Sequence, residues 1–367
     1  MTNVPFMDLA RHHAPLAAEL REAFERALAT SGFILGGEVE RFEAEFASYC
    51  GVEHCVGVGS GTAALLLMLQ AAGIGPGDEV IIPAHTFAAT AFAVLQAGAT
   101  PVCAEVRADT GLIDVDAVRA AIGPRTAAVL PVHLYGQLCE MDELLALAAR
   151  HGLAVFEDSA QSHGAMLDDR RAGSFGTASA FSFYPSKNLG ALGDGGAVCT
   201  NDADLASTVR VLRDLGRRNG VHELIGPNER LDAVQAAFLR VKLPHLDGYN
   251  AARRALAGRY RSALDGVVDL LGERPGGDCV YHLMPIRVDD RDALAGALRA
   301  RGVATGVHYD TAIPDHPALP QLRASDTPIA REWASTELSL PIFPELTDAE
   351  LSSVVTAVTE SVPARTR

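Results

Sequence analysis

Seven short apolar segments, "HCVGV", "DEVIIP", "TPVCAEV", "TAAVLPVHL", "GLAVFED", "ASAFSFY" and "GAVCT", are separated by stretches such as "GTAALLLMLQAAG", "TFAATAFAVLQAG" and "EMDELLALAARHG". The separating stretches repeat their apolar residues at helical spacing. Parallel strands need long, usually helical crossovers, so this rhythm predicts an α/β fold: a mainly parallel sheet with helices on both faces. Two amphipathic helices precede it, one over residues 14 to 29 with Leu16, Leu20, Phe24 and Leu28 at a four-residue step, the other in "GGEVERFEAEFASYCG". From Leu231 an Ala/Leu/Arg-rich helical stretch runs to about Asp265, broken at Pro244, where the ring removes a helix hydrogen bond. Beyond it, "VYHLMPIRV", a helix over 291 to 301, "VATGVHYD" and a final helix with Thr347 and Glu350 as a capping box predict a small α+β domain. "PALPQLRASDTP" reads as loop. The expected division is a large domain over 1–245 and a small one over 246–367.

A chain of 367 residues, 48% hydrophobic and 21% charged, is long enough to bury the cores of both. A formal net charge of -15 argues against non-specific binding of nucleic acid or anionic membrane, whose partners need a basic face. Six cysteines lie scattered, with no CxxC pair and no zinc-like spacing, as expected of free thiols and no metal site. The N-terminus lacks a basic-then-apolar leader pattern, and no apolar run reaches membrane-span length, so a cytoplasmic location is expected.

Chemistry concentrates in three stretches. "CVGVGSGTAALLLML" is a strand, a glycine-rich turn and a helix start, which suits either a phosphate cradle or a plain tight turn. Gly57, Gly59 and Thr62 nearly spell the dinucleotide fingerprint, but its third glycine is missing and Asp78 and Glu79 precede the next strand rather than end it. "LAVFEDSAQSHGA" places Asp158 at the carboxyl end of an apolar strand, as a ligand contact or a helix N-cap. "FSFYPSKNLGALGDGGAV" sets Lys187 at another strand end between apolar and glycine-rich flanks. Desolvation there favours the neutral amine, which can attack an aldehyde and form a Schiff base. A phosphate site, an acid for a pyridinium nitrogen and a Schiff-base lysine are the parts pyridoxal phosphate requires.

Over nearly its whole length the chain resembles the sugar-nucleotide aminotransferases of the DegT type, which are fold-type I pyridoxal-phosphate enzymes. The matching stretches are "GSGTAAL", "GPGDEVIIPAHTFAAT", "PVHLYGQ", "FEDSAQSHGA", "FSFYPSKNLGALGDGGAV" and "NERLDAVQAAFLRVKL". The resemblance implies that Lys187 is the Schiff-base lysine and Asp158 the partner of the ring nitrogen. It places Gln161 near the ring oxygen, Phe87 on the ring face, and Gly61, Thr62 and Ser182 at the phosphate. Asn228 matches an asparagine that reaches the neighbouring subunit's phosphate site, which implies a homodimer. It further implies L-glutamate as amino donor and a keto sugar nucleotide as acceptor. "NLGALGDGGAV" and "HLYGQ" are closer to the members that aminate a 3-keto sugar, and point to a dTDP-linked 3-keto-6-deoxyhexose. A C4 aminotransferase is the alternative. A pyridoxamine-phosphate-dependent sugar dehydratase would lack Lys187, and a non-enzymatic pyridoxal-phosphate-binding regulator would need a DNA-binding segment.

A sugar nucleotide's two phosphates need a local basic patch in so acidic a chain. Arg210, Arg213, Arg217, Arg218 and Arg230 form the densest basic run before the linking helix, with Arg217 and Arg218 the expected contacts, although a solvated helix face has the same pattern. Tyr184, His308 and Tyr309 are candidate sugar contacts or structural residues.

Overall fold

The computed structural model describes residues 3–319, 322–324 and 326–362. All seven apolar segments are strands of one sheet: β1 (His54–Val58), β2 (Glu79–Pro83), β3 (Thr100–Ala104), β4 (Thr126–Val129), β5 (Ala154–Asp158), β6 (Ala178–Ser182) and β7 (Gly196–Thr200). Their order is β1-β7-β6-β5-β4-β2-β3, with a two-residue strand, Arg323–Ala324, beyond β3. Pairing is parallel throughout except at β7, which runs antiparallel to both its neighbours. The edge strand lies inside "PALPQLRASDTP", expected to be loop. Its pairing is two residues long, Arg323 with Val102 and Ala324 with Cys103, too short to leave a period in the sequence. Pro320, Gln321 and Ser325 of that stretch lie outside the described residues. Every residue of β2 and β7 is buried, because helices cover both faces, and the strands therefore read as continuous apolar runs.

The first predicted helix needs correction. A turn of 3-10 helix, Ala14–Leu16, leads into an α-helix, Ala17–Thr30. Leu16, Leu20, Ala23 and Ala27 are buried, the leucines and Ala23 against Ala237 and Phe238, whereas Phe24 and Leu28 stand exposed. A strict four-residue step gains about 40° per step on a 3.6-residue helix, so by Phe24 the leucine row has turned off the packed face. The break at Pro244 is present: Ala233–Lys242 ends in a 3-10 turn, Leu243–His245, before the 19-residue helix Leu246–Leu264. That helix straddles two cores. Leu246 packs with the sheet-side cluster around Phe42 and Phe183, while Leu256, Ala257, Tyr260 and Leu264 pack with Met284, Ile286, Leu338 and the final helix Asp348–Ser361. The capping box of Thr347 and Glu350 is formed as predicted. Val4 joins this second cluster, hydrogen-bonded to the backbone on both sides of Val303, so the segment before the first helix is tied to the second core.

One buried carboxylate fixes the sheet's functional edge. Glu157 in β5 accepts from His133 Nε2 at 3.0 Å and from the N–H groups of Gly173, Phe175 and Gly176 at 2.8–3.0 Å. Burial pushes its carboxyl up, but these donors outweigh that and hold it below the usual carboxylate range. Its stabilisation is therefore present above the ordinary carboxylate pKa and is lost as pH falls through the folded value. Glu157→Gln would turn an NH2 group onto fixed donors. We expect a loss of about 2–4 kcal/mol in denaturant unfolding, shrinking as the pH is lowered. An unchanged midpoint at neutral pH would contradict this role.

Candidate active site

β1, β2, β5 and β6 present their carboxyl ends to one edge of the sheet, where open α/β sheets bind ligands. A cavity of about 340 Å³ opens there. After β1, Ser60 caps the helix Gly61–Ala71 by accepting from Ala63 N–H at 3.1 Å. The first N–H groups of a helix have no intrahelical acceptor, and those of Gly61 and Thr62 stand at the cavity wall. Gly61 is obligatory: a Cβ on it would lie 2.6 Å from the Cβ of Ser182, which comes from the end of β6. Helix terminus and serine hydroxyl thus converge as a phosphate cradle.

Asp158 ends β5, 5% exposed. Thr90 Oγ1 donates to its Oδ2 at 2.9 Å and Ala160 N–H to its Oδ1 at 3.1 Å. Burial raises its pKa, opposed by these donors and by the charge of Lys187. Lys187 follows β6 in a turn closed by its own N–H to the Tyr184 carbonyl at 2.8 Å. Gly190 completes that turn, since a Cβ there would lie 2.3 Å from the Pro185 carbonyl oxygen. Asn188 anchors the loop by donating to Asn250 Oδ1 and the Val280 carbonyl. Burial brings Lys187 down to about 8, opposed by Asp158, so a neutral amine is accessible near neutral pH. The chain contains only two lysines, Lys187 and Lys242. The second is buried, donating to the Gly190 carbonyl at 2.7 Å and contacting His13 Nε2 at 2.9 Å, and it does not line the cavity.

The remaining wall comes from both halves of the chain. Phe87 and Tyr309 face each other with ring centroids 5.3 Å apart. Gln161 donates through Nε2 to the Tyr309 hydroxyl at 3.1 Å and accepts from Tyr135 N–H at 2.6 Å. Tyr184 and His308 also line the cavity. A buried carboxylate, a lysine with a lowered pKa and a phosphate cradle around one cavity fit pyridoxal phosphate. The carboxylate's raised pKa marks a charge that a cationic ring nitrogen would satisfy.

Two of the expected residues lie elsewhere, and Asn228, expected to serve a neighbouring subunit's site, is off the cavity of its own chain. Arg217 and Arg218 do not line the cavity of their own chain, and the basic run is not a free patch. Arg217 and Arg230 share Asp214 at 2.8 and 2.6 Å, Arg218 pairs with Glu223 at 2.9 Å, Arg213 is buried on Glu43, and Arg210 lies 4.0 Å from the same glutamate. Asn228 is bridged to Asp214 through the backbone, also off the cavity. Conversely, the sequence did not single out Thr90, Tyr135, Asp194 or His282. Thr90 ends the quoted "HTFAAT" run and could have been found as a hydroxyl one helical turn after Thr86. Tyr135 carries a left-handed φ of 63°, which nothing in its residue type announces. Among the described residues there is no cluster able to hold a metal ion, and no helix long and apolar enough to cross a membrane.

The chain is similar to proteins of known activity along its length. It is 48% identical over 362 residues, 97% of this chain and 96% of the relative, to a dTDP-3-amino-3,4,6-trideoxy-alpha-D-glucose transaminase of Streptomyces venezuelae. It is 45% identical over 361 residues, 97% of each, to a UDP-N-acetyl-3-dehydro-alpha-D-glucosamine 3-aminotransferase of Acidithiobacillus ferrooxidans. The crystal structure of DesV from S. venezuelae superimposes with a TM-score of 0.95 at 47% identity, covering 98% of both chains. Residues 15–359 match the family described as DegT/DnrJ/EryC1/StrS aminotransferases. The chain belongs to that family.

Proposed function

We propose that the protein transfers an amino group from L-glutamate to a dTDP-linked 3-keto-6-deoxyhexose, giving a 3-amino sugar nucleotide. The observation that carries this reading is the convergence of Lys187, Asp158 and the Gly61–Thr62 helix terminus on one cavity, in a chain similar to enzymes named for 3-amino and 3-keto sugars. Pyridoxal phosphate, on which aminotransferases of this family depend, supplies a carbonyl that carries the amine and a ring that draws electrons from the substrate carbon. The residues do the rest. Gly61, Thr62 and Ser182 would hold the phosphate. Asp158, fixed by Thr90 and Ala160, would keep a proton on the ring nitrogen. Phe87 would cover one ring face, Gln161 would meet the ring oxygen, and the Lys187 amine would move a proton at the substrate carbon. Tyr184, His308 and Tyr309 would contact the sugar.

The active unit in this proposal is a homodimer. Phe24, Leu28, Phe33 and Ile34 are 42–53% exposed and Ile225 is fully exposed, apolar surface that a second copy would cover. Asn228 lies three residues from Ile225, so a second copy docked there would lie near it, and in this reading Asn228 serves the partner's cavity.

Two outcomes are expected. Lys187→Ala should lose at least the ~10²–10⁴-fold typical of a positioned proton-transfer group, with glutamate no longer bleaching the visible absorbance of the cofactor-loaded protein. Normal cycling in that variant would remove Lys187 from the chemistry. Mixing Lys187→Ala chains with Asn228→Ala chains should restore activity, because a mixed dimer holds one site with both residues intact. No gain on mixing would return Asn228 to its own chain.

A further inference from the structure

His308 is held from three directions by groups that the reaction above does not use. Its backbone N–H donates to Glu337 Oε2 at 2.6 Å, and its carbonyl accepts from the Tyr135 hydroxyl at 2.8 Å. Its ring Nδ1 lies 2.9 Å from Ser339 Oγ, which in turn donates to Glu337 Oε1 at 2.5 Å. Phe6 stacks on the ring at 5.7 Å, and the ring packs so closely on Gly306 that a Cβ there would meet its Cε1 at 2.7 Å. Glu337 and Ser339 are fully buried, whereas Nε2 of His308, a residue of the cavity wall, has no partner among the described residues.

A serine hydroxyl has one proton, and the chain from Glu337 to His308 therefore has two consistent arrangements. With Glu337 ionised, Ser339 donates to the carboxylate, Nδ1–H donates to Ser339, and Nε2 presents a lone pair to the cavity. When a proton binds at Nε2, the Nδ1 proton can pass to Ser339 Oγ while the serine's own proton passes to Glu337 Oε1. Glu337 then donates to Ser339, Ser339 donates to Nδ1, and Nε2–H is a donor. One proton enters and the carboxylate charge disappears. We propose that Glu337 and Ser339 are positioning residues that set the tautomer of His308, converting Nε2 between acceptor and donor toward the acceptor sugar as Glu337 gains or loses a proton.

The surroundings favour such a change near neutrality. Burial lifts Glu337 to about 7, opposed by the His308 N–H, Ser339 and the charge of Arg291. His308 itself is pushed down to about 4 by burial and by Lys187, so its ring stays neutral while Glu337 titrates. The other titratable groups that act on the pair are Tyr135 and Tyr309 beside Glu337, His282 beside His308, and His85, which acts on the His308 backbone and whose Nε2 lies 2.9 Å from the Tyr135 hydroxyl. Burial moves both tyrosines up and both histidines down, so none changes charge in this range.

The functional consequence rests on the reading that His308 meets the sugar, but the tautomer can be read without substrate. Protein labelled with 15N-histidine, with His308 assigned by difference from His308→Asn, should show Nδ1–H at about pH 8.5 and Nε2–H at about pH 6. Glu337→Gln should fix Nε2–H at both values. The His308 N–H would hold the amide oxygen, leaving the NH2 to donate to Ser339, so the KM for a dTDP-linked 3-keto-6-deoxyhexose, expected to step near neutrality in the unaltered protein, should lose that step. Ser339→Ala should uncouple the tautomer from pH. The same tautomer at both values in the unaltered protein, or an imidazolium forming between them, would overturn the proposal. Normal keto-sugar turnover in His308→Asn would instead overturn the sugar contact and leave the relay standing.

Discussion

Asp158, buried, and Lys187, half-buried on the cavity wall, are opposite charges that follow adjacent strands, and much of the molecule serves to keep them there. Either one buried alone would be costly. Asp158 is satisfied by a hydroxyl, a backbone N–H and the charge of the lysine, and Lys187 is lowered to about 8 while still feeling that carboxylate. Strand β5 carries the acid and β6 leads to the lysine, so their parallel register, Asp158 beside Ala180, sets the spacing of the pair. Next to Asp158 in the chain, Glu157 gathers four donors from the opposite face and locks β5 in place. The sheet is thus a rigid mount whose two faces serve packing and whose carboxyl edge serves chemistry.

Much of this was legible in the residues because the physics is local. A strand buried on both faces must be mostly apolar, so all seven strands could be placed. Pro244 and the Thr347–Glu350 box act within one helical turn. Lys187 and Asp158 stood out because charges at the ends of such runs need a reason. What escaped was longer in range. The edge strand Arg323–Ala324 is defined by backbone pairing with β3 alone. The exposure of Phe24 and Leu28 depends on the rotation of a helix against its neighbour. The arginine run read as a basic patch, because the carboxylates that pair with it, Glu43, Asp214 and Glu223, mix near and distant sequence positions.

The distribution of lysine carries its own message. Twenty-nine of the 31 basic side chains are arginine. Arginine cannot give up its proton in this range, so it serves for ion pairs but not for a neutral amine. Lys187 and Lys242 are the two places where a compact amine is kept, and burial lowers both to about 8. Lys242 donates to the loop that carries Lys187, through the Gly190 carbonyl, and so supports the site from outside the cavity.

That pair offers the most direct test of the central claim. The protein loaded with pyridoxal phosphate, reduced with borohydride and digested, should carry the cofactor's mass on the peptide containing Lys187 and leave the Lys242 peptide unmodified. Modification of Lys242 in its place, or of neither lysine, would contradict the assignment of the cavity at the carboxyl edge as the catalytic site.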